Sequence, residues 1–213
     1  MTELAIYLPG IMLAYGAFLV GIASPGPNVL AVMGTSMAVG RREGLALAMG
    51  IAVGSLTWAL LTAVGLSALL AQYAYALFII KLFGGAYLLY LAYKAFKSAA
   101  SAHDIEAKAL SGASLSPVRY AVRGYTIQMT NPKAALTWIA IISLGLAPGA
   151  PLWVAAVIVI GTFVLSVVMH ALYALAFSTP PMVRIYARAR RGIQFVLGSF
   201  FTLAGIRLLT SRV

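Results

Sequence analysis

The chain of 213 residues has no cysteine and only four acidic residues, and charged side chains of either sign make up 9% of it. The first absence excludes disulfides, thiol redox relays and thiolate metal sites. The second leaves few carboxylates to hold a cation or relay a proton, because Glu3, Glu43, Asp104 and Glu106 all lie outside or at the edges of the apolar segments. Histidine occurs twice. No metal-ligand cluster, phosphate-binding glycine loop or nucleophile-base pair can be assembled, so no enzyme activity, cofactor or metal is expected.

Apolar surface is abundant: 62% of the residues are hydrophobic and the mean hydropathy is +0.98. Apolar runs recur that are long enough to cross a hydrocarbon core of about 30 Å, so the chain reads as an integral membrane protein whose surroundings are a lipid bilayer. A formal net charge of +11 would suit nucleic acid if it formed one basic face. The basic residues instead gather in short stretches between apolar spans, so they act as topology signals and no nucleic-acid partner is expected. The start, Met1-Thr2-Glu3-Leu4-Ala5-Ile6, has no basic lead and no cleavage pattern follows it, so the first span is expected to stay in the protein.

The pattern predicts an all-α fold of six transmembrane spans, at about 6-39, 44-70, 74-96, 118-147, 151-178 and 192-210. The first is interrupted near 25-28 and the fourth near 130-133. Loops at Arg41-Arg42, Lys94 to Arg123 and Arg184 to Arg191 are basic, whereas Gln72 to Ala76 and Ala147 to Pro151 carry no charge. By the positive-inside rule both termini face outward. The first three spans then enter from outside and the last three from the cytoplasm, which makes a 3+3 inverted-topology repeat of residues 1-96 and 118-213. The joining residues 97-117, with His103, Asp104, Glu106 and Lys108 among alanines and serines, are too poor in apolar surface to pack and read as a cytoplasmic linker.

The two interruptions are the most informative features. Ser24-Pro25-Gly26-Pro27-Asn28 and Thr130-Asn131-Pro132-Lys133 each lead a run of three apolar spans. Proline removes a backbone donor, and lipid cannot satisfy the carbonyls it frees, so a matched pair of such breaks points to a cavity between them. Asn28 lies fourteen residues before Arg42 and Asn131 twelve after Arg119. At about 1.5 Å per residue both sit roughly 18-21 Å from the cytoplasmic edge. Each break has Ser or Asn where a helix is capped and Pro where its first turn tolerates it. Two helix starts meeting at mid-membrane would offer free amides and partial positive charge to an anionic group, with the full charge of Lys133 beside them.

Ser24, Pro25, Gly26, Pro27, Asn28, Asn131, Pro132 and Lys133 are therefore the candidate binding residues, for the carboxylate of an amino acid or other small organic acid. The plainer alternatives are ordinary proline kinks and a lysine that snorkels to the interface. His170 lies fourteen residues before Arg184, and Ser55 and Trp58 lie thirteen and sixteen after Arg42, so the three can share the depth of the breaks as cavity or coupling residues. A neutral packing histidine is the alternative for His170. With no Asp or Glu inside a span, proton coupling would fall to His170, Lys133 or the substrate. Lys81 and Arg207 read as anchors near the outer ends. Gly50 to Gly54 and Gly198 to Gly205 read as close-packing positions within the chain or between copies of a homo-oligomer.

These residues resemble the lysine-exporter (LysE) superfamily, in particular its homoserine/threonine-efflux branch. The residues that carry the likeness, in order, are Ser24 to Asn28, Gly40-Arg41-Arg42-Glu43-Gly44, Gly50 to Gly54, Gly65 to Leu70, Lys81 to Leu91, Asn131-Pro132-Lys133-Ala134, and Arg191 through Gly205. The resemblance implies proton-driven export of amino acids or related small metabolites across the bacterial cytoplasmic membrane. Many members carry an Asp or a His near the positions of Ser55 and Trp58, and this chain has neither. An anion-selective pore and a membrane scaffold are the competing readings.

Overall fold

The computed structural model describes residues 3–24, 26–72, 74–101, 115–147 and 149–210. These residues form eight helices and no strand: α1 (Glu3–Ala23), α2 (Pro27–Ala38), α3 (Arg41–Gln72), α4 (Ala74–Ala100), α5 (Pro117–Met129), α6 (Pro132–Gly145), α7 (Leu152–Ala176) and α8 (Pro180–Thr210). Prolines mark the starts. Pro27, Pro117 and Pro132 stand in the first turns of α2, α5 and α6, where a missing N–H costs nothing because those amides have no partner within the helix. Gly40, at a φ of 143° that other residues rarely adopt, turns the chain from α2 into α3.

Among the described residues, four segments are long and apolar enough to cross a membrane: Glu3–Ala23, Arg41–Gly65, Leu152–Ala176 and Arg184–Thr210. Helices α2, α5 and α6 have 12, 13 and 14 residues, too short at about 1.5 Å per residue to cross the core alone.

The basic stretches differ from their sequence-based reading as loops. Arg41 and Arg42 open α3, Lys94 and Lys97 lie in α4, Arg119 and Arg123 in α5, and Arg184 to Arg191 in α8, which starts at Pro180 rather than near 192. Charge marks where a helix leaves the lipid, not where it ends, and Arg, Lys and Ala are all good helix formers. Arg190 shows what the added turns do. Its guanidinium is buried and donates to the carbonyls of Ser101, at 2.8 Å, and Ser98, at 3.5 Å, so a cation satisfies the carbonyl-rich end of α4. Pro25, and His103, Asp104, Glu106 and Lys108 of the expected linker, lie outside the described residues, as do Tyr73 and Pro148 of the two uncharged turns.

The helices pack with α3 against α5 and α7, α4 against α8, and α1 against α6. One apolar core joins α1, α3, α6 and α7 through Ile11, Phe18, Ala59, Trp138, Ile142 and Ile158, and a second joins α4 to α8 through Leu88, Leu91, Leu197 and Phe201. Large apolar side chains such as Leu60, Val64, Ile160 and Leu203 point outward. That would be costly in water and is ordinary against lipid.

Glycines set the closest crossings. A Cβ on Gly50 of α3 would overlap the Ala121 carbonyl of α5, and one on Gly124 of α5 would overlap the Leu47 carbonyl of α3. Gly205 of α8 faces Gly85 of α4 in the same reciprocal way, and Gly198 lies under Phe96, so both glycine spacings are used within the chain. Because the obstruction at Gly124 is backbone, Gly124→Ala should destabilise the protein by about 1–3 kcal/mol, the usual cost of overpacking. The check is thermal unfolding of the purified protein in detergent. Gly192 has open space around it, and Gly192→Ala serves as the neutral control.

Candidate functional site

The site is built where α1 ends and α2, α5 and α6 come together. Asn131 caps α6: its side-chain oxygen accepts from the Lys133 amide at 3.0 Å. Its Nδ2 donates to Asn28 Oδ1 at 3.3 Å, and Asn28 Nδ2 donates to Gln128 Oε1. Trp58 on α3 closes the chain by donating from Nε1 to the Gln128 carbonyl at 3.2 Å. Thus Asn28 and Asn131, 103 residues apart, are joined directly, and α3 and α5 hold them from behind. Gly54 is what lets α5 come close: a Cβ there would lie 2.9 Å from the side-chain carbons of Gln128.

Lys133 lies at the centre. Its Nζ donates to the Ser24 carbonyl at 3.0 Å, just past the last turn of α1, and its stem runs beside Gly26, where a Cβ would approach Nζ to 3.3 Å. The carbonyls at a helix C-terminus lack partners and carry partial negative charge, so the ammonium satisfies a group that lipid would leave bare. Across the break, Gly26 stands at the cap position before α2, and no side chain caps the first amides of that helix.

His170 is buried in α7, with Nδ1 2.9 Å from the Ser166 carbonyl and 3.3 Å from Ser166 Oγ. A carbonyl only accepts, so in the neutral ring Nδ1 carries the proton and Nε2 is the acceptor.

Two cavities share Ser24, Gly26, Asn131 and Lys133 as walls. The smaller, about 50 Å³, is also lined by Asn28, Ser55, Gln128 and His170, so residues of both breaks face one space. It has room for a few waters. The larger, about 630 Å³, extends past Pro27, Tyr87, Tyr90 and Lys94 to Ser98 and Gln194, and falls in the range of small-molecule sites. No Asp or Glu is among the described lining residues of either.

The residues singled out from sequence are therefore gathered, with differences in their positions. Ser24, Gly26, Asn28, Asn131, Lys133, Ser55 and His170 line the small cavity, and Pro27 lines the large one. Trp58 reaches the group through Gln128, and Pro132 contributes by starting α6. Gln128 was missed. Its signal was present, as an amide inside an apolar stretch one helical turn before Asn131.

A family model for LysE type translocators matches residues 19–212. The chain belongs to the LysE type translocator family. It is 29% identical over 207 residues to the uncharacterized membrane protein YahN of Escherichia coli strain K12, covering 97% of this chain and 92% of that one. It is 28% identical over 198 residues to a threonine efflux protein of the same organism, covering 91% of this chain and 94% of the relative. A leucine efflux protein of Klebsiella pneumoniae matches at 30% identity over 133 residues, 60% of this chain and 61% of its own. No solved structure matches this translocator.

Asn131 supports two bonds that can be separated. Asn131→Ala removes both the cap on α6 and the contact to Asn28, and should cost about 1–2 kcal/mol, whereas Asn131→Ser can keep the cap and recover about half of that. Thermal midpoints of the two variants in one detergent provide the comparison, and equal losses would mean that the cap contributes nothing.

Proposed function

We propose that this protein is a secondary exporter of amino acids across the bacterial cytoplasmic membrane, with the substrate held at mid-membrane between the starts of α2 and α6. The observation that carries the reading is the direct union of Asn28 and Asn131 beside a lysine that no acidic side chain accompanies among the described residues of either cavity. The relatives named for threonine and leucine efflux support the amino-acid class.

In this reading α1 with α2 forms one interrupted span and α5 with α6 another, which with α3, α4, α7 and α8 makes six spans. Residues 1-96 and 118-213 are the two inverted halves, joined by a cytoplasmic linker at 97-117, and both termini face outward by the charge of the connecting stretches. The packing supports it. An exchange of halves maps the α3–α7 pair onto itself, and the α4–α8 pair likewise.

The substrate carboxylate accepts from Lys133 and from free amides at the start of α2. Drawing Lys133 away leaves the Ser24 carbonyl without its donor, and the α-ammonium of the same substrate takes that place. A zwitterion thus replaces the internal pairing of ammonium and carbonyl with no change in net charge. Since neither cavity has a carboxylate among its described residues to receive a cationic side chain, amino acids with neutral or acidic side chains are favoured over lysine and arginine. His170 is the candidate proton carrier, through Nε2, and rocking of the halves about the site would alternate its exposure.

The test is efflux from proteoliposomes loaded with a mixture of amino acids, with a proton gradient imposed or dissipated. Selective, saturable, gradient-dependent release is expected, and Lys133→Ala should reduce it by about 10- to 150-fold, since losing a buried charge-assisted bond costs about 1.5–3 kcal/mol. Electrical current without saturation would favour the anion pore, and absence of any flux in folded protein would favour the scaffold. Lysine or arginine as the best substrate would contradict the specificity argument.

A further inference from the structure

We infer that Lys94 belongs to the transport path: the larger cavity is a cytoplasmic vestibule in which the substrate carboxylate is held between Lys94 and Lys133 before it passes to the narrow site. The inference rests on the exporter reading and adds a binding position to it. Two sizes set the premise. The cavity of about 50 Å³ between the breaks is too small for an amino acid, whereas the one of about 630 Å³ is ample, so in this conformation a substrate has room only in the latter.

The position of the larger cavity follows from α4. Its lining residues on that helix run from Tyr87 to Ser98, eleven residues or roughly 16 Å along the axis. The Ser98 end is the one that Arg190 satisfies, among the basic turns that mark the cytoplasmic side. Ser24, Gly26, Asn131 and Lys133 line the same cavity and are the wall it shares with the smaller one. The cavity therefore joins the cytoplasmic end of α4 to the binding residues, and Lys133 with its carbonyl partner stands between it and the space that contains His170.

The lining has the chemistry of an amino-acid site. Among the described residues that line it, Lys94 and Lys133 are the two cations, and none is Asp or Glu. Lys94 Nζ lies 5.7 Å from the centre of the Tyr90 ring, an attraction that steers the ammonium along the aromatic wall formed by Tyr87 and Tyr90. Leu30, Leu91 and Leu136 offer an apolar face for a neutral side chain, and the Gln194 amide offers an acceptor for an α-ammonium. Two like charges in a cavity with low-dielectric walls raise the local concentration of a carboxylate. A lysine that merely anchors α4 at the interface would produce none of these effects.

The measurement is uptake of radiolabelled amino acids into inside-out vesicles, where the cytoplasmic face is outermost, with a mixture of neutral amino acids including threonine and leucine as the probe. Lys94→Gln should raise KM about tenfold, the factor that corresponds to about 1.4 kcal/mol, and leave kcat within about twofold. Lys94→Arg, which keeps the charge, should restore KM to within about threefold. Lys94 is exposed, so both variants should match the parent in gel filtration. An unchanged KM in Lys94→Gln, or a fall in kcat that Lys94→Arg does not correct, overturns the role of Lys94 while leaving the exporter reading in place. If the parent protein moves none of the probes, the exporter reading itself fails and the vestibule falls with it.

Discussion

The contact between the Lys133 ammonium and the Ser24 carbonyl expresses the constraint on which the rest of the structure depends, that a helix end shut away from water must find its partners in the protein. Helix α1 stops at Ala23 and α2 starts at Pro27, while α5 stops at Met129 and α6 starts at Pro132. Each stop exposes carbonyls and each start exposes amides, at a cost of several kcal/mol apiece if left bare in hydrocarbon. Proline at the start of α2 and α6 removes one donor from each, Asn131 satisfies another, and Lys133 satisfies a carbonyl of α1 from the opposite half of the chain. The end of α1 is thus completed by a residue of α6, and the bond from Asn131 to Asn28 adds a second polar link, which couples the two parts of the sequence more tightly than apolar packing alone would.

The helix ends were legible because their signals are local. Pro27, Asn131 and Pro132 act on their own turn, and a reader of the chain needs no partner to interpret them. Gln128 and Lys94 were not legible in the same way. The bond from Asn28 to Gln128 spans 100 residues, and nothing near either residue announces the other. The basic clusters misled for a different reason: charge reports distance from the lipid, and helix continues through Arg184 to Arg191 because the backbone there still gains its hydrogen bonds and Arg190 caps α4. Glycine spacing was readable as close approach, but which helix would approach was not, since Gly50 and Gly124 become a pair only once α3 and α5 cross.

For function, the two cavities and the wall between them matter more than any single residue. The wall is a lysine bonded to a main-chain carbonyl, a pair that an amino-acid zwitterion can replace group for group. In the proposed mechanism the substrate is therefore both cargo and the agent that opens its own passage, because only a molecule with both charges can release Lys133 and satisfy Ser24 together. This would favour exchange over leakage, since an empty site recloses on its own internal pair. The lack of acidic residues among the described walls of the cavities, an oddity of composition at first, then becomes the condition that keeps Lys133 available.

Ser55 allows the most direct test of alternating access around this site. It is buried, lines the small cavity, and differs from cysteine by one atom in a chain that has no cysteine of its own. Ser55→Cys protein can be exposed to a membrane-impermeant thiol reagent in inside-out and in right-side-out vesicles, with and without a gradient and an amino-acid mixture. Alternating access predicts labelling from both faces, with the balance between them shifted by substrate. Labelling from one face only under all conditions, or from neither, would contradict it.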